Sequence, residues 1–527
     1  MEAKLNIKSP RAAKARYSQK LGNKLLQSSL VLFGVVFFIA GLGLVLTSSS
    51  AGYLLLSITI ICFMLRSWYQ GELKYLAPSG QSVDGLLAQD TLARLKSSSP
   101  SAEEVWQATG KSEASFFFQN RFMVHSSIFG YLSKEPGSGQ VVWQKAEELR
   151  AKHGKPSFDN GLLVVALLKS IPNIEQMLRQ IQLEFKDIED GIEWLAHIEA
   201  KRRLAAQKRH FGGWARDFTF GYTPLLRYLG HYISQEIQTY GFFTDTSRHQ
   251  NVVEQMVQGM STGNSTVTLV GDIGVGKTTC VYAFADRLIE DKALSKKIKY
   301  NQVVSLDAPS ILAQTKNPGE LEGIILRLLK EAGKAKNIIL FFDDAHVFFG
   351  GGEASSVDLS NILQPVLESG SVRLIFAMTS RDWQTLSTKN PSIASQLQSI
   401  RMQPANEPET IEVLRDQVMF LEYERKVLFS YQALREAFKL GSRYVDSQAM
   451  PGAALSVLKG ATPLARDGYV TDDVVKQSIE SSTGVKLQHV GGDETKTLLN
   501  LEDELHKFVI NQKRAVGVIA NALRRSR

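Results

Sequence analysis

The chain has 527 residues, 44% of them hydrophobic and 22% charged, with two cysteines and a net charge of +8. That length holds more than one domain, the composition is that of a folded protein, and two cysteines make no disulfide framework and suit a reducing compartment. A general nucleic-acid surface is excluded by where the charge sits. Lys4, Lys8, Arg11, Lys14, Arg16, Lys20 and Lys24 face Glu2 alone in one short arm, and the rest of the chain is nearly balanced.

Residues 1–28 are this basic arm. From Leu25 to Leu65 there is no charged residue, and the run breaks only at Thr47–Gly52. Each half is apolar over a length near the ~20 residues a membrane helix needs, the second if it continues through Arg66 to Trp68 and Tyr69. Residues 29–69 are therefore predicted as a transmembrane helical hairpin in contact with membrane lipid. The positive arm places the N-terminus on the cytoplasmic side, and two crossings return the chain there.

Residues 80–200 are predicted as an all-α domain built by duplication. Val83-Asp-Gly-Leu-Leu and Phe158-Asp-Asn-Gly-Leu-Leu open two related segments, each followed by a helical stretch. The second ends in an amphipathic run with Ile181, Phe185, Ile188, Ile192 and Leu195 at helical spacing. Residues 201–245 read as a linker: a basic connector, Lys201–His210, then the aromatic-rich Phe211–Phe243, expected to pack on the next domain.

Residues 246–400 carry the chemistry. Val267–Val270 reads as a buried strand running into Gly271-Asp272-Ile273-Gly274-Val275-Gly276-Lys277-Thr278, the full G-x-x-x-x-G-K-[ST] pattern, with Thr279 opening an amphipathic helix. The glycines let backbone amides turn toward phosphates, Lys277 meets the β- and γ-phosphates, and Thr278 meets Mg²⁺. ATP with Mg²⁺ is the expected cofactor. Ile338–Phe342 is a second buried strand, ending in Asp343 and Asp344. Asp343 is expected to hold Mg²⁺ through water and Asp344 to orient the attacking water. Ser371–Thr379 is a third strand, whose Thr379 falls where a γ-phosphate sensor belongs. Alternating strands and helices imply a parallel sheet, and residues 401–490 a helical lid.

These residues resemble the Clp-type AAA+ unfoldases. The likeness is strongest in Gly271–Thr279, Ile338–His346 and Asp358–Leu367, and it extends to Thr483-Gly484-Val485, where that family's first ring domain ends. Leu498–His506 and the segment from Val509 to Arg527 are similar to the opening of its second ring domain, so residues 491–527 are assigned there. The chain is expected to be a fragment, or else a form that has lost the second ring. The resemblance implies an α/β P-loop AAA+ domain with a helical lid, a duplicated Clp N-terminal-like domain before it, a ring of six, client proteins and a protease subunit as partners.

Four departures bear on the moving parts. The family's second Walker B acid is Glu; here it is Asp344, one methylene shorter. Its pore loop carries an aromatic where this chain has Lys316-Asn-Pro-Gly-Glu320. Its arginine fingers fall near Ser395-Gln396, and no arginine occurs between Arg381 and Arg401. Met450-Pro-Gly-Ala-Ala454 lacks the lysine that the family places after its Pro-Asp. The expected function is a membrane-anchored, ATP-dependent protein-remodelling ATPase. The alternative is a nucleotide-dependent assembly scaffold with weak hydrolysis.

Overall fold

The computed structural model describes residues 5–206, 223–240, 249–307, 311, 318–349 and 360–484, except 48, 81, 264, 291–293 and 296–297, together with isolated positions beyond 504. Of the segment expected as the pore loop, Lys316–Glu320, the first two residues lie outside the described residues and the last three open helix Pro318–Ala335; nearly all of 491–527, expected as the opening of a second ring, also lies outside.

The apolar run forms two helices, Lys24–Leu46 and Ala51–Trp68. The second continues helically to Leu73, and both are long and apolar enough to cross a membrane. They pack antiparallel because glycines let their backbones meet. A Cβ on Gly52 would stand 2.7 Å from the Val45 nitrogen and 2.8 Å from the Gly41 oxygen. Leu32, Phe33, Ile39, Leu54, Ile60 and Met64 face outward, exposed.

The basic arm is a docked helix rather than a free tail. Helix Pro10–Leu21 starts at Ser9, whose hydroxyl accepts the Ala12 N–H. Ala12 and Ala15 are fully buried. Arg11 donates to the Asp84 and Leu76 carbonyls, and Gln89 Nε2 donates to Ser18 Oγ.

Residues 83–206 are helical apart from short loops. The two related segments lie side by side. Ala88 N–H donates to the Phe158 carbonyl at 2.9 Å and Phe158 N–H to the Leu86 carbonyl at 2.8 Å. Thr91 Oγ1 donates to Asn160 Oδ1 at 2.8 Å. Each segment is followed by several helices rather than one long one: Ala102–Thr109 and Glu113–Phe122 after the first, Ile174–Gln180 and Phe185–Ala206 after the second. Leu162–Leu168, as apolar as a membrane segment, is wholly buried in this domain.

The α/β body is a six-stranded sheet in the order β1-β3-β4-β5-β2-β6. Its strands are β1 (Gly230–Tyr232), β2 (Thr266–Val270), β3 (Gln302–Asp307), β4 (Ile338–Asp343), β5 (Arg373–Met378) and β6 (Gln398–Arg401). Its central strands are apolar without alternation because helices cover both faces. The pairing is parallel except at one edge, where β1 runs antiparallel to β3. The sheet is therefore mixed, which corrects the expectation of a wholly parallel one. The correction comes from the segment expected as a linker: helix Pro224–Leu229, β1 and helix Ile233–Tyr240 belong to the α/β body.

The segment expected as a lid, called the lid below, consists of helices Glu407–Arg425, Tyr431–Tyr444, Gly452–Ala461 and Asp472–Thr483 with a short parallel pair, β7 (Leu428–Phe429) and β8 (Tyr469–Val470). Its first helix is fixed by a capping box: Asn406 Oδ1 accepts the Glu409 N–H while Glu409 accepts the Asn406 N–H. One continuous apolar cluster runs from the arm through the N-terminal helical domain into the lid.

Candidate functional site

The site forms where β2 and β4 end on either side of β5. After β2, the loop from Gly271 to Gly276 takes backbone angles that only glycine adopts cheaply, with φ of +87° at Gly274 and +100° at Gly276. Helix Lys277–Glu290 follows, so its unpaired N–H groups face the loop's interior. Asp272, Ile273 and Thr278 are exposed, while Gly271, Val275 and Lys277 are buried. Thr279 is half-buried on the first turn of the helix.

Lys277 Nζ donates to the Gly271 carbonyl at 2.8 Å and to the Asp272 carbonyl at 3.1 Å. Burial pulls its pKa down, opposed by Asp343, Asp344, Asp272 and Asp382. An ammonium held by carbonyls inside a glycine loop is a donor seeking a stronger anion. Thr278 Oγ1 donates to Asp343 Oδ2 at 2.9 Å, joining residues 65 positions apart in the chain. Burial pushes the Asp343 carboxyl above its ordinary range, with the Thr278 hydrogen bond acting the other way. A hydroxyl and a desolvated carboxylate side by side fit Mg²⁺, a hard cation that takes oxygen ligands and keeps several waters.

Asp344 is exposed and sits in the left-handed region, at φ 49° and ψ 45°. Its N–H donates to Asp343 Oδ1 at 3.2 Å. This is costly backbone for a residue other than glycine, of the kind that clusters at functional sites. Thr379 directly follows β5 and is the N-cap of helix Ser380–Lys389. Its Oγ1 accepts the Asp382 N–H and donates to Asp382 Oδ2 at 2.6 Å. The hydroxyl is thus committed to its own helix. Asp382, which sequence reasoning missed, faces His346 across 3.7 Å.

Sequence reasoning also missed two neighbours of the loop. His249, the N-cap of helix Gln250–Thr262, crowds Gly276: a Cβ there would stand 2.8 Å from His249 Nε2. The lid touches the loop directly, with Ala449 N–H donating to the Ile273 carbonyl at 2.7 Å and Gly452 N–H to the Gly274 carbonyl at 3.0 Å. A Cβ on Gly452 would stand 2.5 Å from Gly274 Cα. In the sequence, Met450–Ala454 stood out only for a missing lysine, and nothing there signalled this contact.

Residues 267–401 match the AAA family, described as the ATPase family associated with various cellular activities. The chain is 27% identical over 324 residues to the ATP-dependent Clp protease ATP-binding subunit ClpC of Staphylococcus epidermidis, covering 49% of this chain and 40% of that protein. It is 36% identical over 194 residues to the chaperone protein ClpB of Aquifex aeolicus, covering 37% of this chain and 19% of that one. The chain thus spans less than half the length of these relatives. A solved S. cerevisiae Hsp104–ADP complex superposes with a TM-score of 0.50 at 24% identity, over 57% of this chain and 53% of that one, which speaks to the fold.

Proposed function

We propose, from its likeness to Clp-type AAA+ ATPases, that the chain is a membrane-anchored ATPase that remodels client proteins, using ATP and Mg²⁺ at the loop between β2 and helix Lys277–Glu290. The observation that carries this is the 2.9 Å pairing of Thr278 with Asp343 beside Lys277. It joins the two motifs that must share one metal–nucleotide complex. In that role the loop amides and Lys277 bind and orient the phosphates. Thr278 and Asp343 hold Mg²⁺, which supplies charge neutralisation on the phosphate oxygens. In the same reading Asp344, exposed beside them, orients the attacking water.

Two apolar helices whose outward faces are exposed support the anchor, because hydrocarbon rather than water suits such a surface. The arm and the ATPase body then share the cytoplasmic face. Assembly into a ring of six, client binding by residues 80–200 and a protease partner follow the same family reading.

A second reading has its own observations. Asp344 is one methylene shorter than Glu, and the Thr379 hydroxyl is bonded to Asp382. A ring that binds nucleotide and hydrolyses it weakly would act as a nucleotide-gated scaffold. Nucleotide binding and phosphate release, measured on the full chain in detergent micelles beside Lys277→Ala, separate the two. Binding with turnover, both lost in the variant, supports the motor. Binding without turnover supports the scaffold, and absence of binding rejects both.

A further inference from the structure

The N-terminal helical domain and the lid share an interior. Phe122 stacks on Tyr431 with ring centroids 5.1 Å apart, and both are buried. Arg121 reaches from the helical domain into the lid. It pairs with both oxygens of Glu422 and donates to the Phe429 carbonyl, and only 9% of its side chain and 11% of that of Glu422 are exposed. From the lid, Gln432 Nε2 donates to the carbonyls of Phe122 and Ile181. Asp187 accepts the Tyr431 hydroxyl at 3.2 Å and Arg435 at 3.0 Å. Asp416, its side chain 1% exposed, lies 2.6 Å from Lys201 and 2.8 Å from His197.

Domains joined by modest polar surfaces move independently by default. This junction has an apolar interior and buried ion pairs whose partners come from opposite sides. Undocking would return this apolar interior, with the stacked Phe122 and Tyr431, to water. The same helical domain holds the arm helix through Arg11, Ser18 and Gln89, and the arm leads into the apolar hairpin at Asn23. At its other end the lid bonds the nucleotide loop itself, through Ala449 and Gly452.

We infer that the lid's outer face has this chain's own N-terminal helical domain as its standing partner. The two then move as one body, carrying nucleotide-dependent movement of the lid from the Gly274–Gly452 contact to the arm helix at the membrane. The transmission half rests on the nucleotide site proposed above; the docked half does not.

Spin labels on exposed positions test both halves in full-length protein in lipid nanodiscs, with labelled protomers diluted into unlabelled ones. Tyr131→Cys marks the helical domain, Tyr423→Cys the lid and Tyr228→Cys the α/β body, at 64%, 91% and 76% exposure, with Cys62→Ala removing the half-exposed native thiol. Pairwise distances are read by pulsed electron resonance with and without a slowly hydrolysed ATP analogue. The expected result is a narrow 131–423 distribution that nucleotide leaves unchanged, with the 131–228 and 423–228 distances shifting together. A broad 131–423 distribution without nucleotide overturns the dock. A 423–228 shift that 131–228 does not follow, or no shift at all with nucleotide bound, overturns the transmission. If a fluorescent ATP analogue fails to bind, the site reading and the transmission fall together, while the nucleotide-free 131–423 width still decides the dock. Arg121→Ala should broaden that distribution. Tyr431→Phe, which keeps the ring and removes the hydroxyl, should broaden it less and guards against simple misfolding of the first variant.

Discussion

At the scale of single residues, the site holds charges that folding has made uncomfortable. Asp343 has its pKa raised by burial, so the folded state binds its proton more tightly than the unfolded chain does. Its contribution to stability is therefore present at acid pH and is lost as pH rises from the unfolded value through the folded one. Mg²⁺ needs the carboxylate, so protonation competes with the metal. Mg²⁺-dependent nucleotide affinity should weaken on acidification at a higher pH than an exposed aspartate would give, and a titration of nucleotide binding against Mg²⁺ from mildly acid to neutral pH checks this. Affinity that holds flat until the ordinary aspartate range would contradict it. Gly452 makes a second test. Its added Cβ would stand 2.5 Å from Gly274 Cα, backbone that cannot swing away. Gly452→Ala should cost about 1–3 kcal/mol of the lid–loop contact, as overpacking does, and weaken nucleotide binding by about tenfold or more. Unchanged affinity in a fluorescent-nucleotide titration would mean that the lid rests on the loop without gating it. Asp344→Glu restores the longer carboxylate. If reach limits turnover, kcat should rise by about tenfold or more, because misplacement by about 1 Å costs about 100-fold; a fall would place the limit elsewhere.

At the scale of elements, local rules made much legible and long-range pairing made the rest invisible. The glycine loop, the strand before it and the helix after it follow from spacing, because each residue's backbone requirement is met by its neighbours. The duplicated openings at Val83 and Phe158 were visible as similar strings, and the structure adds that they bond to each other. β1 was not legible, since Gly230-His-Tyr232 has no alternation and its partner lies some 70 residues away. Nor was the lid's dock: Arg121 and Glu422 stand 301 positions apart, and nothing near either one signals the other. Thr379 was placed from its strand, but the Thr-x-x-Asp cap that engages its hydroxyl is a local signal that was passed over. Two stability predictions belong here. Asn406→Ala should lower unfolding free energy by about 1 kcal/mol through loss of the cap. Arg121→Ala should cost about 3–5 kcal/mol, because it strands a buried Glu422. Thermal denaturation of the full chain in micelles ranks them, and equal effects would show that the Arg121 pair is more solvated than its 9% exposure implies.

At the scale of the whole molecule, the decisive contrast is between two apolar runs. Leu162–Leu168 and the hairpin both read as hydrocarbon-like, yet the first is short and buried on every side, whereas the second is long and bare. Helix Lys24–Leu46 has 23 residues. At about 1.5 Å per residue that is enough for a hydrocarbon layer of about 30 Å. Its antiparallel partner approaches closely at Gly52, where an added Cβ would meet the Val45 nitrogen at 2.7 Å. The ends of the hairpin come together, since a Cβ on Gly22 would stand 3.1 Å from the Tyr69 hydroxyl. A short flexible Gly/Ser linker can therefore replace residues 25–68 without pulling the arm helix off its seat. With the hairpin intact, the protein should stay with membranes through alkaline carbonate extraction. With the linker, it should appear in the supernatant while still binding nucleotide. Release of the intact chain by carbonate would instead mean that another protein surface covers the hairpin. A changed nucleotide affinity on shortening would be the reciprocal of the transmission inferred above, running from the anchor to the ATP site through the docked arm, helical domain and lid.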